Sequence, residues 1–220
     1  MFRVKICGVT LPEDARIVVA RGADAVGLNF YEPSPRFLKP ENADAVVDVL
    51  PGGIVRVGLF VNASIEQIHK TWDDLGLDLV QLHGDESPEF LRELGGLPVM
   101  RAFRLGKEGI APICEYLEIC RKLMCLPELV LVDSFRKGQF GGTGATADWE
   151  TARGYPSEDW HPPLVLAGGL TSENVAEAIR VVSPVAVDTA SGVESSPGRK
   201  DSEMVAHFVE AAMAAFGEAR

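Results

Sequence analysis

Eight short apolar runs recur along this chain, and amphipathic segments of helical spacing lie between them. The runs are Arg3–Cys7, Ala25–Leu28, Ile54–Phe60, Leu77–Leu82, Pro98–Phe103, Leu129–Asp133, Leu164–Ala167 and Val185–Asp188. Strands buried on both faces read as near-continuous apolar stretches, and regular alternation with helices points to parallel strands joined by crossovers. Eight such units in 220 residues fit a single (β/α)8 barrel spanning residues 1–220. A doubly wound open sheet is the alternative, but its Gly-x-Gly-x-x-Gly signature is missing after the first run. Helix starts are also marked. Thr10-Leu11-Pro12-Glu13 reads as a capping box, Ser64 and Ser87-Pro88-Glu89 read as starts of the third and fourth helices, and Asp201 or Ser202 opens the last.

Composition narrows the function. A hydrophobic share of 46% supplies one full core. The formal net charge of −11 makes nucleic acid and anionic membranes poor partners, so an anionic substrate needs a local positive field. The first ten residues place Arg3 and Lys5 inside their apolar run, which is unlike a signal peptide, and no apolar run is long enough to span a bilayer. The four cysteines form no Cys-x-x-Cys pair and have no clustered histidines, so neither zinc nor a disulfide framework is expected, and a reducing cytoplasm fits best.

Two stretches near the C-terminus carry a ligand signal. Leu164–Ala167 stops at Gly168-Gly169 and resumes as a helix with Val175, Ala178, Ile179 and Val182 on one face, where Thr171 or Ser172 is the expected cap. Val185–Asp188 runs into Thr189-Ala190-Ser191-Gly192, where Ser191-Gly192 can open a short helical turn. Each pattern alone also suits an ordinary close-packed βα turn. Two adjacent amide nests after the last two strands of a barrel form a phosphate site. Two long connections, Asn29–Phe37 and Ser134–Thr146, follow strand C-termini on the same face, and the glycine-rich second one reads as a lid.

The strand period places Arg3, Lys5 and Cys7 on one side, away from Val4 and Ile6. Cys7 then points into the barrel mouth, and the Lys5 ammonium one layer below is expected to favour its thiolate. Asp133 shares a face with Leu129 and Leu131, so its carboxyl also points to the mouth. Arg36 follows the stiff Ser34-Pro35 pair and suits a bidentate carboxylate contact. His83 ends its strand without a second ligand at metal spacing and reads as a polar wall of the pocket or a capping donor.

The set Lys5-Ile6-Cys7-Gly8, Ser34-Pro35-Arg36, Gln81-Leu82-His83-Gly84, Val132-Asp133-Ser134, Gly141-Gly142-Thr143-Gly144, Leu166-Ala167-Gly168-Gly169-Leu170 and Asp188–Glu194 resembles the phosphoribosylanthranilate isomerase family of tryptophan biosynthesis over nearly the whole length. Ala190 stands where that family usually has Ser or Asn, and Arg199 stands where it usually has an aliphatic residue. The resemblance implies a cofactor-free, metal-free Amadori rearrangement of a phosphoribosyl small molecule, in a monomer or homodimer. It implies that Asp133 is the general acid and Cys7 the general base, and that Arg36 holds the anthranilate carboxylate. Gly168, Gly169, Ser191 and Gly192 would hold the phosphate through backbone N–H groups, with Asp188 and His83 in the pocket. Rival readings are another phosphosugar isomerase or epimerase, a dual-substrate isomerase (against which Cys7 counts), and a catalytically silent phosphate-binding barrel.

Overall fold

The computed structural model describes residues 1–133, 149–156 and 158–218. Eight parallel strands close into a barrel: β1 (Val4–Cys7), β2 (Ala25–Asn29), β3 (Val55–Phe60), β4 (Leu79–Leu82), β5 (Val99–Arg104), β6 (Leu129–Asp133), β7 (Leu164–Ala167) and β8 (Ala186–Thr189). Each pairs with its sequence neighbours, and β8 pairs back onto β1 with Lys5 opposite Asp188. Eight helices follow the strands: α1 (Pro12–Ala20), α2 (Pro40–Asp48), α3 (Ile65–Leu75), α4 (Pro88–Glu93), α5 (Ala111–Lys122), α6 (Trp149–Arg153), α7 (Val175–Val182) and α8 (Ser202–Glu218). After β8 a short 3₁₀ turn, Ser191–Val193, leads into a small hairpin of β9 (Glu194–Ser196) and β10 (Arg199–Lys200). This is the (β/α)8 architecture that the alternating pattern predicts. Among the described residues no helix is long and apolar enough to cross a membrane.

The strand period divides the core in two. Val4, Ile6, Val26, Leu28, Val130 and Val132 point outward against the helices. Ala25, Val57, Leu79, Met100, Leu129, Leu131 and Val165 fill the barrel interior, with Phe2 joining them. Each fully buried aliphatic side chain contributes about 1.5–3 kcal/mol relative to exposure. That alternation is what points the residues at the strand ends into the mouth. On α7 the stripe Val175, Ala178, Ile179 and Val182 is buried as its spacing predicts, and on α8 Val205, Phe208, Val209 and Ala212 turn inward.

Several local expectations are corrected. The Thr10 capping box does not form: Leu11 is the N-cap of α1 without a side-chain bond, and the Thr10 hydroxyl instead donates to the Gly198 carbonyl at 3.0 Å. Neither Thr171 nor Ser172 caps α7. Asn174 takes the N-cap position, and its Oδ1 accepts from Thr171 N–H at 2.8 Å, which organises the turn before the helix. Arg3 is not part of an inward row. It precedes β1, and its guanidinium stacks 4.9 Å from the Phe216 ring centroid on α8. Ser64, Ser87 and Asp201 accept backbone N–H groups at the starts of α3, α4 and α8, as expected.

Candidate active site

The C-terminal ends of the strands surround a cavity of about 980 Å³. Cys7, Arg36, His83, Asp133, Gly168, Gly169, Asp188 and Ser191 all line it, so the structure brings together eight of the nine residues singled out from sequence. Gly192 is the exception. It packs beneath the wall, where an added Cβ would lie 1.9 Å from the Leu170 carbonyl oxygen, so its missing side chain lets the β7 and β8 loops touch. Ser191 and Gly192 open the 3₁₀ turn as anticipated. Gly168 and Gly169 sit at φ of +98° and +65°, a left-handed pair that turns the chain sharply at the end of β7. The glycine-rich stretch Ser134–Thr146, read as a lid, lies outside the described residues.

Charge is organised beneath this mouth by Lys5 and Asp188, which the sequence placed there, and by Lys200 and Glu194, to which it assigned no role. Lys5 is fully buried and donates to Asp188 Oδ1 at 2.8 Å. Burial opposes its charge, but Asp188 and Cys7 outweigh that, and the Lys5 pKa lies above its ordinary value. Lys200 is equally buried. Its ammonium donates to the Cys7 carbonyl at 2.7 Å, the Ala190 carbonyl at 3.2 Å and Glu194 Oε1 at 2.7 Å. Glu194 also accepts from Arg36, at 2.8 and 3.1 Å from Nε and 2.6 Å from Nη2. One carboxylate thus fixes the guanidinium while one ammonium ties the end of β1 to the loop after β8. Both Lys200 and Glu194 lie in the hairpin following β8, and only their clustered charges in a turn-rich segment hint at such a role. Arg199 in the same hairpin reaches the buried Asp14 at 3.9 Å.

The expectation of a thiolate at Cys7 is overturned. Burial pushes the thiol above its ordinary value of 9.0; Lys5 and Lys200 pull it down, while Asp188 pushes it further up. The Lys5 ammonium serves both Asp188 and the sulfur, and burial outweighs its pull on the thiol. His83 moves the other way. Burial, aided by Arg104, Lys5 and Arg101, lowers its pKa to about 4, so the imidazole is neutral at pH 7. Arg101 holds the β4 end in place by donating to the carbonyls of Leu82 and Gly84 at 2.9 Å each. Among the described residues no group of His, Cys, Asp and Glu is arranged to hold a metal ion.

Residues 4–211 match the family model for N-(5'-phosphoribosyl)anthranilate isomerase. The chain belongs to this family. It is 46% identical over 210 residues to the isomerase of Trichlorobacter lovleyi, covering 95% of this chain and 97% of that one. It is 43% identical over 218 residues to that of Rubrobacter xylanophilus, covering 96% and 99%. Its fold is similar to the crystal structure of the Thermotoga maritima phosphoribosyl anthranilate isomerase, with a TM-score of 0.83 and 40% identity over 97% of this chain and all of that one. A second solved family member, 38% identical with a TM-score of 0.81 over 97% of this chain and 100% of that chain, is in complex with reduced 1-(o-carboxyphenylamino)-1-deoxyribulose 5-phosphate.

Proposed function

We propose that this chain isomerises N-(5'-phosphoribosyl)anthranilate to 1-(2-carboxyphenylamino)-1-deoxyribulose 5-phosphate by general acid and base catalysis in this cavity. The observation that supports the residue roles is the shared lining: Cys7 on β1 and Asp133 on β6 border the same space, flanked by the Gly168-Gly169 turn and by Arg36. The phosphate binds the N–H groups of the turns after β7 and β8. Arg36, oriented by Glu194, holds the anthranilate carboxylate. Clamping both ends suspends the ribose between acid and base, and that positioning supplies much of the acceleration.

Asp133 protonates the furanose ring oxygen, and the C1–O bond breaks to leave an iminium at C1. The iminium acidifies the C2 proton, which the Cys7 thiolate removes. The electron pair left on C2 neutralises the iminium and gives the enolamine, which tautomerises to the aminoketone. The proton given by Asp133 and the one taken by Cys7 balance, so the reaction is an isomerisation. Because burial holds the free thiol protonated, the reactive thiolate is a minority form at neutral pH, sustained by Lys5 and Lys200.

The test is turnover of N-(5'-phosphoribosyl)anthranilate by purified protein, together with Cys7→Ala and Asp133→Ala. Each substitution is expected to lower kcat at least about a hundredfold with the fold intact. Near-native rates in either variant would remove its assigned role. Failure of the chain to rescue a tryptophan auxotroph lacking this step would remove the activity itself.

A further inference from the structure

Gln81 and His83 alternate inward at the end of β4, and both line the cavity. Gln81 is only 1% exposed. Its Nε2 lies 3.3 Å from His83 Nδ1, while its Oε1 and the far nitrogen of His83, Nε2, are buried without a hydrogen-bond partner among the described residues. A buried amide oxygen and a buried ring nitrogen left unpaired are costly, unless something supplied from outside completes them.

The protonation pattern follows from the contact. The imidazole is neutral at pH 7, with a pKa of about 4, so only one ring nitrogen carries a proton. The Gln81 amide nitrogen can only donate, so Nδ1 accepts and the proton sits on Nε2. The two unpaired atoms are therefore one acceptor, Gln81 Oε1, and one donor, His83 Nε2–H. A partner matched to both must give one hydrogen bond and take another.

We infer that Gln81 and His83 form a hydroxyl-recognition pair that reads one secondary hydroxyl of the substrate's ribose. This rests on the isomerase reading above. Among the groups of that substrate, the carboxylate and the ionised phosphate oxygens accept and would face the Gln81 oxygen unfavourably. The anilinic nitrogen donates but accepts poorly, because its lone pair is delocalised into the ring. Only the ribose hydroxyls both give and take. The topology agrees: β4 lies across the barrel from β8, so the pair faces the cavity from the side opposite one wall of the phosphate site. A ligand anchored at that wall presents its sugar towards it.

The test has two readouts. The first is the ¹⁵N spectrum of the His83 imidazole in the free protein between pH 5 and pH 8. It is expected to show a neutral ring with the proton on Nε2 throughout. A proton on Nδ1, or a ring that becomes charged within that range, overturns the inference. The second is competitive inhibition by the 2-deoxy and 3-deoxy congeners of the substrate. Loss of the hydroxyl that is read is expected to weaken inhibition roughly tenfold relative to loss of the other. The gap should disappear in Gln81→Leu and persist in His83→Gln, whose amide keeps an N–H at similar reach. A gap that survives in Gln81→Leu, or no gap in the unaltered protein, overturns the inference. Turnover of N-(5'-phosphoribosyl)anthranilate by the unaltered chain is measured alongside. Its absence would refute the isomerase reading, whereas turnover with the wrong tautomer or gap refutes only the hydroxyl-recognition pair.

Discussion

Replacing Glu194 by Leu tests whether the buried charges beneath the mouth are one coupled unit. The Glu194 and Lys200 side chains are 3% and 0% exposed and lie 2.7 Å apart, and Glu194 also accepts three hydrogen bonds from Arg36. Removing the carboxylate leaves the Lys200 ammonium buried against two carbonyls only. Breaking a buried pair from one side costs about 3–5 kcal/mol. In a chain of this size each kcal/mol moves Tm by roughly 2–4 °C, so a fall of about 6–20 °C is expected by calorimetry. Glu194→Leu combined with Lys200→Met leaves no ammonium buried without its carboxylate, so the pair should cost less than the sum of the two single substitutions, although Arg36 loses its partner in both. The effect also has a sign in pH. Burial pushes the Glu194 carboxyl up, but Arg36 and Lys200 outweigh it and hold its pKa below the ordinary 4.5. A carboxyl whose folded pKa is depressed contributes its stability above the unfolded value and loses it as pH falls through the folded one. The Tm gap between the native chain and Glu194→Leu should therefore be full at pH 6–7 and close progressively below about pH 4.5. A Tm shift under about 2 °C, additive costs in the double variant, or a gap that widens in acid would refute the reasoning.

The remaining predictions concern the chemistry. The Cys7 pKa lies above 9.0, so its alkylation by iodoacetamide, followed by mass spectrometry, should be slow at pH 7 and still rising through pH 9; a rate already level by pH 8 would contradict the buried-thiol picture. Gly27→Ala would place a Cβ 2.7 Å from Cys7 Sγ and 2.9 Å from Lys5 Nζ, and is expected to depress kcat by displacing the sulfur; unchanged kcat would contradict it. Arg36→Ala should act mainly by raising KM, and a fall in kcat alone with KM unchanged would oppose its role as carboxylate anchor.

The barrel was legible in sequence because strands covered on both faces must be apolar throughout, and eight runs leave few other closures. Their ends were not: β4 begins at Leu79 rather than Leu77, because pairing with Val57 and not hydropathy sets its start. The cavity residues were readable wherever a strand end fixes direction, as at Cys7 and Asp133. What sequence concealed were choices made by distant partners. Thr10 could serve its own helix or Gly198, 188 residues away, and took the latter. Strand period alone places Lys5 beside Cys7, but not the second partner of its ammonium, Asp188, 183 residues on. The Lys200–Glu194–Arg36 chain likewise joins parts of the sequence that no local pattern connects.

The ties from Lys5 to Asp188 and from Lys200 to the Cys7 carbonyl join the first strand to the last thirty or so residues, across separations of 183 and 193. A nascent chain cannot fix the Cys7 end of β1 until that segment has left the ribosome. Contacts of such long range are entropically the slowest to close during folding. A fragment ending before the closing hairpin therefore lacks the clasp, whatever fraction of its strands has already paired.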